Sequence, residues 1–153
     1  RAHAMAYERP PAQLYALSFG VVLLAVGILG FIANASFDAG SDVQGDDFII
    51  FEVNGWHNLV HIGSGLLGLA LWRNPATARL YALGFGAVYL VVTIWGFADG
   101  DQVLWLLPVD LADNFLHLAI AAIGITAGLV SPAHPSAAPG PAPGPAPGRH
   151  GMA

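Results

Sequence analysis

The chain has 153 residues, of which 56% are hydrophobic and only 10% charged, with a formal net charge of −5. A soluble domain usually carries about 25% charged residues, so this chain is not built to face water on all sides. An acidic balance without lysine excludes a nucleic-acid-binding role, which needs basic patches, and the absence of cysteine excludes disulfides and thiolate metal sites.

Residues 1–11 read as a short inner tail ending in Pro10-Pro11, a stop before the first helix. Apolar stretches follow at 14–33, 56–72, 80–98 and 111–130, all without Lys or Arg. Each lies near the roughly 20 residues that cross a hydrocarbon core about 30 Å thick, so four transmembrane helices are predicted within a domain spanning 12–131. Between the first two lies a polar, acidic, glycine-containing outer loop over 34–47, and then Phe48–Val53, apolar but too short to span. This short segment is expected to lie at the membrane interface or to lead directly into helix two. Asn54 stands three residues before His57 and Asp110 three before Asp113, the spacing of a helix N-cap. Arg73-Asn-Pro-Ala-Thr-Ala-Arg79 reads as a tight inner turn, because Pro75 excludes a continuous helix there. Tyr15 and Tyr81, near the inner helix ends, are expected to be interfacial anchors, as are Trp56, Trp72, Trp95 and Trp105. Beyond residue 131 the composition collapses to Pro, Ala and Gly, and 132–153 is expected to be a disordered tail with His134 and His150 as solvent-exposed bystanders.

All five arginines fall in the tails or in the loop between helices two and three, whereas nine of the ten acidic residues fall on the opposite side. Positive charge stays inside, so both termini are expected in the cytoplasm of a multi-pass protein of a bacterial inner membrane.

The chain also repeats itself. Gln13-Leu-Tyr-Ala-Leu-Ser-Phe-Gly, continuing to Ile28-Leu-Gly-Phe, returns as Arg79-Leu-Tyr-Ala-Leu-Gly-Phe-Gly, continuing to Ile94-Trp-Gly-Phe. Phe48-Ile-Ile-Phe-Glu-Val-Asn-Gly-Trp-His-Asn-Leu-Val-His returns as Leu104-Trp-Leu-Leu-Pro-Val-Asp-Leu-Ala-Asp-Asn-Phe-Leu-His. The expected fold is therefore all-α: an integral membrane four-helix bundle of two parallel helical-hairpin repeats, with matched residues facing each other.

The repeat matches His57 with Asp113, Asn58 with Asn114 and His61 with His117. His57 and His61 share a helix face about 6 Å apart, as do Asp113 and His117. Small residues further along, Gly65, Gly68, Ala121, Gly124 and Gly128, mark these faces as turned into the bundle. Three imidazoles and a carboxylate suit Zn²⁺, Cu²⁺ or Fe, with Asn58 and Asn114 beside them as hydrogen-bonding supports. Alternatively His61 and His117 ligate a b-type haem from opposite sides. A plainer reading pairs His57 with Asp113 and His61 with His117 as interhelical glue, and a third makes the cluster a proton or ion relay.

The chain shows no catalytic signature: no phosphate-binding glycine loop, nucleophile elbow or paired catalytic carboxylates. It is not expected to be an enzyme. An accessory subunit of a larger respiratory or photosynthetic membrane complex is the favoured role, with the lipid bilayer and other membrane subunits or a second copy as partners. A stand-alone metal- or haem-binding protein and a small ion pathway are the alternatives. The Val53-Asn-Gly-Trp-His-Asn-Leu-Val-His61 stretch, with Arg79-Leu-Tyr-Ala-Leu-Gly-Phe-Gly and Asp113-Asn-Phe-Leu-His117, resembles an uncharacterised family of small bacterial four-helix membrane proteins. The resemblance covers roughly 12–130 and implies four helices and no assigned reaction.

Overall fold

A computed structural model describes residues 8–41 and 43–132, without the side chain of Asp99. The expected inner tail is thus seen only from residue 8 and the Pro/Ala/Gly tail only at Pro132; His134 and His150 lie outside the described residues. The described residues form four helices: α1 (Pro11–Ala33), α2 (Gly55–Leu71), α3 (Pro75–Asp99) and α4 (Leu111–Val130). Two short antiparallel hairpins join them at the end away from the described chain termini, β1 (Asp46–Phe48) with β2 (Phe51–Val53), and β3 (Gln102–Val103) with β4 (Leu107–Pro108). Helix, hairpin, helix thus occurs twice in chain order.

Local chemistry sets the ends. Pro11 and Pro75 open α1 and α3, where the missing proline N–H would have had no helical partner. Asn74 caps α3, its side chain accepting from the Ala76 and Thr77 amides at 2.9 and 3.4 Å. Gly100 closes α3 at φ +94°, a conformation open to glycine. At the opposite end of the bundle from the hairpins, Gln13 donates to the carbonyls of Trp72 and Arg73 at 3.0 and 2.8 Å, satisfying the end of α2. Its sequence counterpart Arg79 donates to the Ser131 carbonyl at 3.1 Å beyond α4.

Helices α1, α3 and α4 are long and apolar enough to cross a membrane. Helix α2 has 17 residues, about 26 Å, and falls short of the roughly 30 Å core. The bundle is inverted relative to a soluble one. Val21, Val22, Ile28, Leu29 and Ile32 of α1 lie outside, whereas Gly20, Gly27 and Gly30 are buried. Small residues let membrane helices approach closely where no hydrophobic driving force acts between them. Helix α1 packs chiefly on α2 and α3 on α4, with α1 also meeting α3 and α4.

Phe48–Val53 leads into α2 through the single cap residue Asn54, and does so as part of the first hairpin, with Asp46 paired to Val53 and Phe48 to Phe51. An apolar strand too short to span satisfies its backbone groups by pairing with itself. One expectation changes. Tyr15 and Tyr81 are not interfacial anchors but core residues, 3% and 4% exposed. The Tyr15 hydroxyl donates to the Ile120 carbonyl at 3.3 Å and the Tyr81 hydroxyl to the Ser64 carbonyl at 3.1 Å. Gly124 and Gly68 make room, since a Cβ at either would come within 3 Å of the phenol oxygen. Trp72 keeps its place near a helix end, with the guanidinium groups of Arg9 and Arg73 over its ring at 4.8 and 5.5 Å.

Candidate metal centre

The site grows from the two N-caps. The Asn54 side chain accepts from the His57 amide at 2.9 Å, and Asp110 accepts from the Asp113 amide at 2.7 Å. These bonds satisfy orphan donors and fix the first turns of α2 and α4. One turn further, at i+4, come His61 and His117. The sequence expectation of a cap before each first turn holds at both positions.

The structure brings together His57, His61 and His117. One ligand nitrogen from each lies within 4.8 Å of the other two. The rings of His57 and His61 are 4.5 Å apart between centroids, and those of His57 and His117 are 6.1 Å apart. His57 and His117 are buried and His61 is half-buried. The His57 Nδ1 is 3.1 Å from the Glu52 carbonyl oxygen. The Pro108 carbonyl also faces this ring, and a carbonyl on a ring nitrogen fixes the orientation and tautomer of an imidazole, the usual support of a metal-bound histidine. Neither the His61 nor the His117 ring makes a hydrogen bond among the described residues, and the Nδ1 of His117 is buried without a partner. Buried polar atoms are nearly always satisfied, so an orphan imidazole nitrogen calls for an explanation.

Asp113 is placed differently. Its Oδ2 accepts from the Glu52 amide at 3.2 Å and from the Asp110 amide at 3.3 Å, so this carboxylate oxygen serves the chain itself. Among the described residues no hydrogen bond joins it to His57. Glu52 instead stands between them, its N–H on Asp113 and its carbonyl on the His57 ring. Asn58 and Asn114 sit at helix contacts. Asn58 donates to the Asn34 carbonyl at 2.9 Å, and its Oδ1 lies where a Cβ on Gly30 would be. The Oδ1 of Asn114 stands in the same relation to Gly96. Both oxygens are buried without a conventional donor and face glycine backbone, as in the weak Cα–H···O contacts of close helix pairs.

Two features escape a reading of the sequence. Tyr89 is buried edge-on to His117, with centroids 5.0 Å apart, at the end of a ladder running Tyr81, Phe85, Tyr89 along α3. The four-residue spacing of those aromatics is the signal that could have found it. The second is a cavity of about 120 Å³ between α1 and α4, bounded by Leu23, Val26 and Ile120, by Ile49 of the hairpin turn, and by His61 and His117.

The chain matches the family described as a domain of unknown function (DUF4383) over residues 13–130 and belongs to that family. No curated protein and no solved structure matches it.

Proposed function

We propose that this member of the DUF4383 family is a non-enzymatic membrane protein that holds one divalent transition-metal ion between His57, His61 and His117. The observation that carries the reading is the convergence of three imidazole nitrogens within 4.8 Å of one another inside an apolar bundle. Imidazoles on one tetrahedral ion, with metal–nitrogen bonds of about 2.1 Å, stand about 3.4 Å apart. Small rotations of the side chains close that difference. Three neutral nitrogen ligands with a free fourth position suit Zn²⁺ or Cu²⁺.

A single ion fits better than a haem. The neighbouring cavity is about 120 Å³; a cavity of about 150 Å³ admits benzene, and a porphyrin is several times larger. The carboxylate of Asp113, engaged by two backbone amides, speaks against a proton relay through that residue.

The biological setting we infer is an accessory subunit of a larger assembly in a bacterial inner membrane, with both termini cytoplasmic. The placement of the arginines supports the orientation, and the lack of any catalytic motif supports the accessory role. The ion site then lies toward the outer leaflet, near the N-terminal ends of α2 and α4.

The test is elemental analysis of detergent-purified protein exposed to Zn²⁺ and then desalted, wild type beside the double variant His61→Ala/His117→Ala. One ion per chain is expected, lost in the double variant while its far-ultraviolet circular dichroism stays helical. A metal-free wild type, or equal retention by the variant, overturns the reading.

A further inference from the structure

The register of the sequence repeat pairs Leu23 of α1 with Tyr89 of α3 and His61 with His117. Both apolar partners are buried, Leu23 at 3% exposed and Tyr89 at 5%. On one flank of the imidazoles the phenol ring of Tyr89 fills the space against His117. On the other, where Leu23 is smaller, the cavity of about 120 Å³ remains beside His61 and His117.

We propose that this cavity binds a hydroxylated six-membered aromatic ring from the bilayer, which does on the Leu23 side what Tyr89 does on its own. Size comes first: an apolar cavity of about 150 Å³ stays dry and takes up benzene, and this one is close to that volume. Its walls are Phe19, Val22, Leu23 and Val26 of α1 with Ile120 of α4, which offer a ring nothing but apolar contact. Its polar floor is His61, His117 and Asp113; the carboxylate is engaged by backbone amides, whereas the two imidazole rings make no hydrogen bond among the described residues. His117 is 4% exposed and its Nδ1 has no partner. A hydroxyl delivered there gains a hydrogen bond that nothing else in the bundle provides. A plain hydrocarbon leaves the imidazoles unsatisfied, and a charged ligand loses its hydration against walls that are apolar except for the two imidazoles and Asp113, whose Oδ2 already accepts from two backbone amides. The mouth lies on the lipid side: Val22 and Ile49, which line it, are 53% and 79% exposed. A ring therefore enters from the bilayer, past the turn of the first hairpin.

The proposal goes beyond the ion reading and does not require it, so it is tested on chelated protein. Fluorine NMR of 4-fluorophenol and of fluorobenzene is recorded with the protein in lipid nanodiscs, for wild type and for Leu23→Tyr, which places in α1 the residue found at the matched position of α3. Saturable binding of one 4-fluorophenol per chain is expected, with fluorobenzene weaker by about tenfold, the worth of one hydrogen bond. Leu23→Tyr is expected to abolish saturable binding while retaining the zinc stoichiometry of the wild type. Should Leu23→Tyr fail to fold, Leu23→Phe blocks the same space without a second hydroxyl. Equal affinity for the two probes, or equal uptake by wild type and both filled variants, overturns the proposal. Loss of zinc binding with ring binding intact overturns only the ion reading. Competition by decyl-hydroquinone assigns the ring to a lipid-borne headgroup; its failure to compete assigns it to a free phenol.

Discussion

The first helical hairpin, α1 with α2, and the second, α3 with α4, agree in what holds them together and differ in what they offer to a ligand. Asn58 meets Gly30 as Asn114 meets Gly96. Tyr15 crosses to α4 and Tyr81 crosses to α2, each ending on a helix carbonyl. Gln13 and Arg79 each close the C-terminal end of the helix that follows their own. Two positions beside the imidazoles break this agreement. Where the first hairpin has His57, the second has Asp113, with a carboxylate oxygen engaged by the amides of Glu52 and Asp110. Where the second has Tyr89, the first has Leu23 and a cavity. The contacts that the two hairpins share hold the helices together, and the proposed site sits where the two hairpins differ.

The largest expected effect tests the shared part. A Cβ on Gly30 or on Gly96 would overlap the amide oxygen of a buried asparagine, and neither asparagine has space to retreat. Overpacking a close-packed contact costs about 1–3 kcal/mol, and these sites fall at the upper end. Gly30→Ala and Gly96→Ala should each lose about 3 kcal/mol in thermal unfolding followed in detergent. Equal losses sharpen the equivalence of the two hairpins. A loss confined to one of them breaks it.

Next in size is a change on the divergent part. Tyr89→Leu removes the ring that covers His117 and leaves a void resembling the one beside Leu23. Truncating a buried aromatic to a smaller apolar residue costs about 2 kcal/mol through lost contacts and residual cavity. The same thermal unfolding measures it, and the stoichiometry of 4-fluorophenol should rise from one to two per chain. Unchanged stability would mean that Tyr89 does not fill its flank as its burial indicates.

Much of the scaffold was legible in the sequence because it is written in local terms. The caps at Asn54 and Asp110 follow from a three-residue spacing, the turn at Asn74-Pro75 from proline, and the three helices long and apolar enough to cross a membrane from uninterrupted apolar length. The convergence of His57, His61 and His117 was also foreshadowed, since two i,i+4 pairs on matched helices have little else to face. What stayed hidden depends on neighbours distant in the chain. Nothing local in Asp113 says that Glu52, 61 residues away, will donate to its carboxylate. Tyr15 and Tyr81 look like interfacial residues until Gly124 and Gly68 on other helices are seen to admit their rings. The segment Phe48–Val53 has the composition of a buried helix end and the length of a strand, and only pairing with Asp46–Phe48 decides between them. The cavity is an absence, visible only after every wall is in place.

The smallest effect separates the two caps. Asp110→Asn keeps an acceptor for the Asp113 amide, and Asn and Asp rank alike at N-caps, so only a few tenths of a kcal/mol should be lost. The reciprocal change, Asn54→Asp, also keeps its acceptor for the His57 amide. Asn54, however, uses its other end to donate to the Leu106 carbonyl in the second hairpin, at 2.8 Å, and is fully buried. A carboxylate there sets oxygen against oxygen and leaves that carbonyl without its side-chain donor, at a cost of about 1.5 kcal/mol. Thermal unfolding of the two single variants measures the difference. If the costs are equal, Asn54 is only a cap; if Asn54→Asp costs more, the residue before His57 also ties the two hairpins together above the imidazoles, which Asp110 does not do through its side chain.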